Sequence, residues 1–142
     1  RAFGRQAAEN AGAGAAGGLG FALQLLGGEF KSGAEVVADL LQLDAALAGA
    51  DWAITGEGRS DAQTLLGKTP FVVAQRAARE GVPVSLLSGG IDRTALPALG
   101  QTFAGCFSLV FGPSTLEDAM RRTAELLADS AEQMARLRAA GR

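Results

Sequence analysis

Histidine and tyrosine are absent from the 142 residues, and the chain has one cysteine, Cys106, one tryptophan, Trp52, and four prolines. Without histidine, the usual zinc sites and His-based nucleophilic triads are excluded. A lone cysteine excludes an internal disulfide. Any metal would have to be a hard cation such as Mg²⁺ held by carboxylates. No run of basic residues exists, and 13 Lys and Arg stand against 15 Asp and Glu, so nothing tracks a nucleic-acid backbone. No uninterrupted apolar stretch is long enough to cross a bilayer, and the first residues lack the basic-then-apolar layout of a secretory leader. A cytoplasmic protein with neither nucleic-acid nor membrane partners is expected.

What is abundant is small. Hydrophobic residues make up 48% and glycines number 20, so the core is expected to rely on close backbone approach as well as on bulky side chains. The length suits one domain, able to bury roughly two-thirds of its unfolded surface. Arg1 to Asn10 enters with helix-friendly residues and no start signal, which reads as the tail of something longer.

Leu19, Phe21, Ala22, Leu23, Leu25 and Leu26 follow the glycine-rich stretch from Gly12 to Gly20 and predict a short, buried apolar helix closed by Gly27 and Gly28. Ser32 with Glu35 is a capping-box pattern opening a helix through about Leu41. Downstream, strands are expected over 51–55, 83–87 and 106–111. A helix with Thr69 as N-cap and Pro70 in its first turn ends at Gly81. Ser114 with Glu117 caps a long last helix whose Leu116, Met120, Thr123, Leu127, Met134 and Leu137 share one face. The order βαβαβα implies an α/β fold, a three-layer arrangement around a parallel sheet of about three strands with right-handed crossovers. The helical, glycine-rich segment 1–50 precedes it, and 51–142 forms an incomplete domain. Three strands leave the edges open, so further strands are expected from upstream sequence, a second chain or self-association through the sheet edge.

Ile54-Thr55-Gly56-Glu57-Gly58-Arg59-Ser60-Asp61 follows the first strand of the alternating part. In open α/β sheets ligands sit at the carboxyl ends of strands. The two glycines let a backbone approach a ligand. Glu57 and Asp61 bring two carboxylates into one segment, suited to holding Mg²⁺ or accepting the proton of an attacking hydroxyl. The bland alternative is a surface turn with solvated charges. Lys68 stands just before a helix start, where free N–H groups and the helix dipole favour an anion; a lysine there is also an ordinary surface residue. Gly12, Gly14 and Gly17 match a dinucleotide-binding glycine pattern literally, but the preceding residues look helical and no acidic ribose partner follows. Leu87-Ser88-Gly89-Gly90 follows the second strand, again at the ligand-binding end of a sheet, and could offer N–H groups to a nucleotide or phosphate. Trp52 and Cys106 read as core.

Taken together, Gly12-Ala-Gly-Ala-Ala-Gly-Gly-Leu-Gly20, Ile54-Thr-Gly-Glu-Gly-Arg-Ser-Asp-Ala-Gln-Thr64 and Gly67-Lys-Thr-Pro70 resemble the C-terminal part of bacterial glycerate kinases of the glycerate 2-kinase type, in order, spacing and identity. The resemblance implies ATP-dependent phosphorylation of D-glycerate to 2-phosphoglycerate with Mg²⁺. Members are longer and have two α/β domains, one flavodoxin-like and built from both ends of the chain. By that comparison 51–142 is the returning portion of the flavodoxin-like domain, and 1–50 lies near the interdomain cleft. Matched residue by residue, Thr55, Gly56, Glu57, Gly58 and Asp61 form a cleft loop and Lys68 contacts phosphate or carboxylate. Asp61, with Glu57 second, touches the metal or the reacting hydroxyl, and Gly14, Gly17 and Gly18 line the cleft. The family's N-terminal strand has no counterpart here, so the isolated chain is expected to be inactive. Two other readings stay open: a non-catalytic anion- or nucleotide-binding module, and an inactive fragment.

Overall fold

The computed structural model describes residues 8–141; the first part of the expected tail, 1–7, lies outside them. The chain divides into two compact units, Arg1–Gly33 and Ala34–Arg142. Among the described residues no helix is long and apolar enough to cross a membrane.

The first unit is built on glycine. A 3₁₀ turn, Ala15–Gly18, leads into helix α1 (Leu19–Leu25) through Gly17 and Gly18, both at positive φ. Gly20 is obligatory for space, because a Cβ there would stand 2.0 Å from the Gly12 carbonyl oxygen. Gly27, at φ 86°, turns the chain out of the helix, and the Gly28 N–H bonds the Leu23 carbonyl at 2.9 Å. The expected burial of this helix is not found. Leu19, Leu23, Leu25 and Leu26 are exposed and only Gly20 is buried, since a seven-residue helix apolar nearly all round has more surface than so small a unit can cover.

The second unit holds helices α2 (Gly33–Leu40) and α3 (Leu43–Leu47), then strand β1 (Ala53–Ser60), helix α4 (Thr69–Arg79) and strand β2 (Val84–Ile91). Helix α5 (Leu96–Thr102), strand β3 (Gly105–Ser108) and helices α6 (Leu116–Arg121) and α7 (Thr123–Ala140) complete it. The strands pair in the order β1-β2-β3, all parallel, with Ala53 opposite Val84 and Ser85 opposite Gly105. On one face Leu47, Ala74, Ala77, Leu99 and Phe103, from α3, α4, α5 and the residue after it, pack over Val84 and Leu86. On the other, Leu126 and Met134 of α7 pack with Leu87 and Leu109, and Trp52 and Phe107 lie against them. Trp52 also donates its indole N–H to Ser85 Oγ at 3.1 Å. This is the three-layer parallel sheet that the alternation implies, and β1 and β3 are its edges.

Four local expectations shift. Glu35 does not serve its own helix start: its carboxylate bonds Arg76 of α4, whose Nε lies 3.1 Å from Oε2. Arg76 is 5% exposed and also meets Asp39 at 2.5 Å and Asp44 at 3.3 Å, so one guanidinium ties α2 and α3 to α4. The hydrogen bonds that Arg76 donates to Glu35 first and to Asp39, with the charges of Asp39 and Asp44, raise its pKa further and keep it charged. The cap of α4 is Lys68 rather than Thr69, with Pro70 still in the first turn. The cap of α6 is Thr115, whose hydroxyl accepts from the Asp118 N–H at 3.1 Å, while Ser114 bonds the Thr115 carbonyl. The single long last helix is two. Thr123 donates its hydroxyl toward the carbonyls of Ala119 at 3.0 Å and Met120 at 2.9 Å, the back-bonding that bends helices, and the chain breaks at Arg122. The face that packs carries Leu126, Ser130 and Met134, whereas Leu116, Met120, Leu127 and Leu137 stay exposed.

Candidate functional site

The segment read as a loop after β1 is mostly strand. β1 runs through Gly56, Glu57 and Gly58 to Ser60, which sits opposite Ile91, and β2 likewise runs through Ser88, Gly89 and Gly90. Glycine permits this because the two backbones come very close. A Cβ on Gly56 would lie 2.0 Å from the Leu87 carbonyl oxygen, and one on Gly89 would lie 2.6 Å from that of Gly58. Thr55 and Gly56 therefore belong to the ladder, opposite Leu86 and Leu87. A Cβ on Gly58 would meet nothing within 4 Å, so that position faces open space.

At the strand's end the chain turns sharply. Asp61 is extended and caps the 3₁₀ turn Ala62–Leu65, its Oδ1 accepting the Gln63 N–H at 2.8 Å. In return Thr64 Oγ1 accepts the Asp61 N–H at 3.0 Å, a reciprocal cap that satisfies two donors at once. Gly67, at φ 94°, then admits the turn that sets Lys68 at the start of α4. Three of the residues singled out in the sequence thus come together. Lys68 Nζ lies 3.5 Å from Glu57 Oε2 and 3.7 Å from Asp61 Oδ1.

The two carboxylates are held differently. Glu57 Oε1 accepts from Ser60 Oγ at 3.0 Å and from Thr64 Oγ1 at 2.5 Å, and Ser60 is joined to Ser88 by a 2.7 Å hydroxyl pair. Ser60, Thr64 and Ser88 are fully buried. Buried hydroxyls committed to a carboxylate fix its orientation, because each would lose a bond if it swung away. Asp61 is more open, with a third of its side chain exposed against 17% for Glu57, and both of its contacts described here use Oδ1. The hydroxyls Ser60, Thr64 and Ser88 were not picked out as site residues by sequence. Ser60 and Thr64 sit inside the motif, but Ser88 arrives only through the β1-β2 register.

Gly14, Gly17 and Gly18 lie in the first unit, and a Cβ at any of them would find nothing within 4 Å. Among the described residues no three His, Cys, Asp or Glu side chains gather to hold a metal ion. Cys106 is half-buried in β3, and desolvation raises its thiol pKa, which suits filler rather than a nucleophile.

Comparison with known proteins matches this arrangement to one group. The family model described as the glycerate kinase family matches residues 1–139. A glycerate kinase of Bacillus subtilis (strain 168) is 38% identical over 136 residues, which are 95% of this chain and 36% of that protein. The glycerate 2-kinase of Escherichia coli (strain K12) is 39% identical over 111 residues, covering 78% of this chain and 29% of its own length. A Salmonella typhimurium LT2 crystal structure, provisionally named glycerate kinase 2, superposes with a TM-score of 0.68 at 39% identity, over 92% of this chain and 32% of its own. The chain belongs to the glycerate kinase family and spans about a third of the length of the relatives it matches.

Proposed function

We propose that this chain supplies one wall of the active site of a cytoplasmic kinase that transfers the terminal phosphoryl group of ATP to the 2-hydroxyl of D-glycerate. The observation that carries the proposal is the convergence of Glu57, Asp61 and Lys68 at the carboxyl end of β1, next to the start of α4, in a chain of the glycerate kinase family. Phosphoryl transfer asks a protein mainly for positioning and for opposite charge around the moving group. A lysine at a helix start supports both, since its ammonium adds to the free N–H groups of the first turn.

The donor set suits Mg²⁺ only in part. Mg²⁺ typically takes one or two carboxylates and fills its octahedron with water and phosphate oxygens. Asp61 meets that description, with Oδ2 outside its hydrogen bond to Gln63 and its ion pair with Lys68. Glu57 does not, because its Oε1 already accepts two hydroxyls and its Oε2 faces Lys68. Asp61 would accordingly be the residue that holds the metal or meets the reacting hydroxyl, and Glu57 the one that fixes Lys68. The bound Mg²⁺·ATP would supply the phosphoryl group with its charge partly neutralised. Lys68 would offset the negative charge that builds up during transfer. Gly58, and in the first unit Gly14, Gly17 and Gly18, offer open backbone that a ligand can approach closely.

The test is D-glycerate-dependent ADP formation by the 142-residue chain alone and by a full-length polypeptide in which it replaces the matching third of the Bacillus subtilis glycerate kinase. Activity is expected only in the full-length form, with loss on the order of 100-fold or more in kcat for Asp61→Asn and for Lys68→Met. Wild-type turnover in Asp61→Asn would remove its assigned role. Anion or nucleotide binding without turnover in the full-length form would favour the non-catalytic binding module instead.

A further inference from the structure

Charge at the acidic end of β1 does not balance. Glu57 and Asp61 share one ammonium, that of Lys68, at 3.5 and 3.7 Å, so the three groups together carry net negative charge. A 2-hydroxy acid is itself an anion, with its carboxylate on the carbon beside the one that bears the reacting hydroxyl. A cluster of this sign repels that carboxylate just as it brings the hydroxyl close, unless a further cation stands beside it. Lys68 is engaged twice already, and its place at a helix start favours a phosphoryl group.

Among the described residues two other cations lie where the strands end, Arg59 on β1 and Arg93 in the 3₁₀ turn after β2. Arg59, unlike Arg93, lines a cavity of about 700 Å³ that also takes in Glu57 and Gly58. Arg76, Arg121, Arg122 and Arg136 each have a carboxylate partner. Arg59 is exposed, and among the described residues no ion pair engages it. Its cross-strand neighbour is Gly90 and the residue before it is Gly58; a Cβ at either would meet nothing within 4 Å. Two open glycine positions therefore adjoin Arg59 and leave room for a ligand. Asp92 is near enough to feel its charge: the Thr94 hydroxyl and N–H hold the Asp92 carboxyl low in the first place, and Arg59 adds to them. Asp92 is committed through Oδ1 to Thr94, at 2.7 and 2.9 Å, and leaves the guanidinium to other anions.

We propose that Arg59 is the specificity-determining residue for the substrate carboxylate. Its planar fork receives that group while Asp61 faces the neighbouring hydroxyl and Lys68 the phosphoryl group. Arginine suits the task because two parallel N–H donors match two carboxylate oxygens, which a single ammonium cannot do. The inference rests on the reading of the chain as part of a D-glycerate kinase, and adds the group by which such an enzyme tells a hydroxy acid from a neutral polyol.

The test uses the full-length polypeptide described above, with D-glycerate and with glycerol, which keeps hydroxyls and lacks the carboxylate. Arg59→Met is expected to raise KM for D-glycerate roughly 30-fold or more, to leave KM for ATP within about 3-fold, and to shrink the preference for D-glycerate over glycerol. Arg59→Lys should recover only part of the loss, and Arg93→Met, outside the cavity, should leave both constants as they are. Calorimetric titration of D-glycerate without ATP reads the same contact in the absence of turnover: wild type binds, and Arg59→Met binds about 10-fold or more weakly. Because Arg59 is exposed, a melt within a few degrees of wild type is expected and shows that the variant is folded. A protein that binds D-glycerate through Arg59 yet forms no ADP would sink the kinase reading and uphold this one. An unchanged KM for D-glycerate, equal affinity in wild type and Arg59→Met, or no binding by wild type would overturn the assignment. So would a rise confined to KM for ATP, which would give Arg59 to the nucleotide phosphates.

Discussion

Replacing Thr64 by valine isolates the device that fixes Glu57. The two side chains have nearly the same shape and Thr64 is fully buried, so no cavity opens and the whole effect comes from the hydroxyl. Two bonds go: the one from the Asp61 N–H at 3.0 Å and the one to Glu57 Oε1 at 2.5 Å. A neutral bond of this kind is worth about 1 kcal/mol and one to a charged group about 1.5–3 kcal/mol. Glu57 keeps Ser60 at 3.0 Å and Lys68 at 3.5 Å, so its carboxylate is not stranded and the lower part of the range applies. The expected cost is about 2–3 kcal/mol. With a urea slope of about 2 kcal/mol/M, the unfolding midpoint of Thr64→Val should fall by about 1–1.5 M. Thr64→Ser, which keeps the hydroxyl and loses one methyl, should recover most of it. A midpoint within about 0.3 M of wild type for Thr64→Val, or a serine variant no better than valine, would show that the hydroxyl does not anchor Glu57.

Neighbouring glycines should respond in opposite ways. Gly56→Ala forces a Cβ to within 2.0 Å of the Leu87 carbonyl oxygen and should part β1 from β2, whereas Gly58→Ala meets nothing within 4 Å and should melt within a few degrees of wild type; thermal melts by circular dichroism compare them. Arg76→Leu leaves Glu35, Asp39 and Asp44 without their shared cation, so amide exchange over residues 34–47 should quicken roughly 10-fold or more while β2 stays protected. Arg76→Lys should rescue little, since one ammonium cannot replace a planar fork meeting three carboxylates. Asp92 accepts from the Thr94 hydroxyl at 2.7 Å and from its N–H at 2.9 Å, which holds its carboxyl below the usual range. A depressed folded-state pKa adds stability above the unfolded-state value and loses it as pH falls through the folded one. Asp92→Asn should therefore be the less stable protein at neutral pH and approach wild type under acid conditions, as urea midpoints across pH would record.

What could be read in advance, and what could not, divides by the range of the interaction that decides it. The order of strands and helices was legible because each depends on a local apolar run and a nearby start or stop. The ends of β1 and β2 were not. Gly56, Gly58, Gly89 and Gly90 are turn formers by propensity, and only the pairing of two strands 31 positions apart in register, as Glu57 with Ser88, keeps them extended. Caps slipped by a single residue where two candidates adjoin, Ser114 with Thr115 and Lys68 with Thr69, because a cap is chosen by backbone angle as well as by side chain. The break before Thr123 depended on whether one hydroxyl turned back onto its own helix, and the role of Glu35 on an arginine 41 residues away.

The same division runs through the site. Glu57, Asp61 and Lys68 lie within one short stretch, so their meeting could be anticipated from their spacing, and the family could be recognised from the motifs alone. The unequal status of the two carboxylates could not. Glu57 is fixed because Thr64 and Ser60 both reach it locally, and Ser60 is itself held from across the sheet by the distant Ser88. Asp61, one turn further on, is engaged through Oδ1 and stays more open. Motif identity alone ranks these two acids together; the β1-β2 register is what separates a carboxylate built into the scaffold from one that can still receive a ligand.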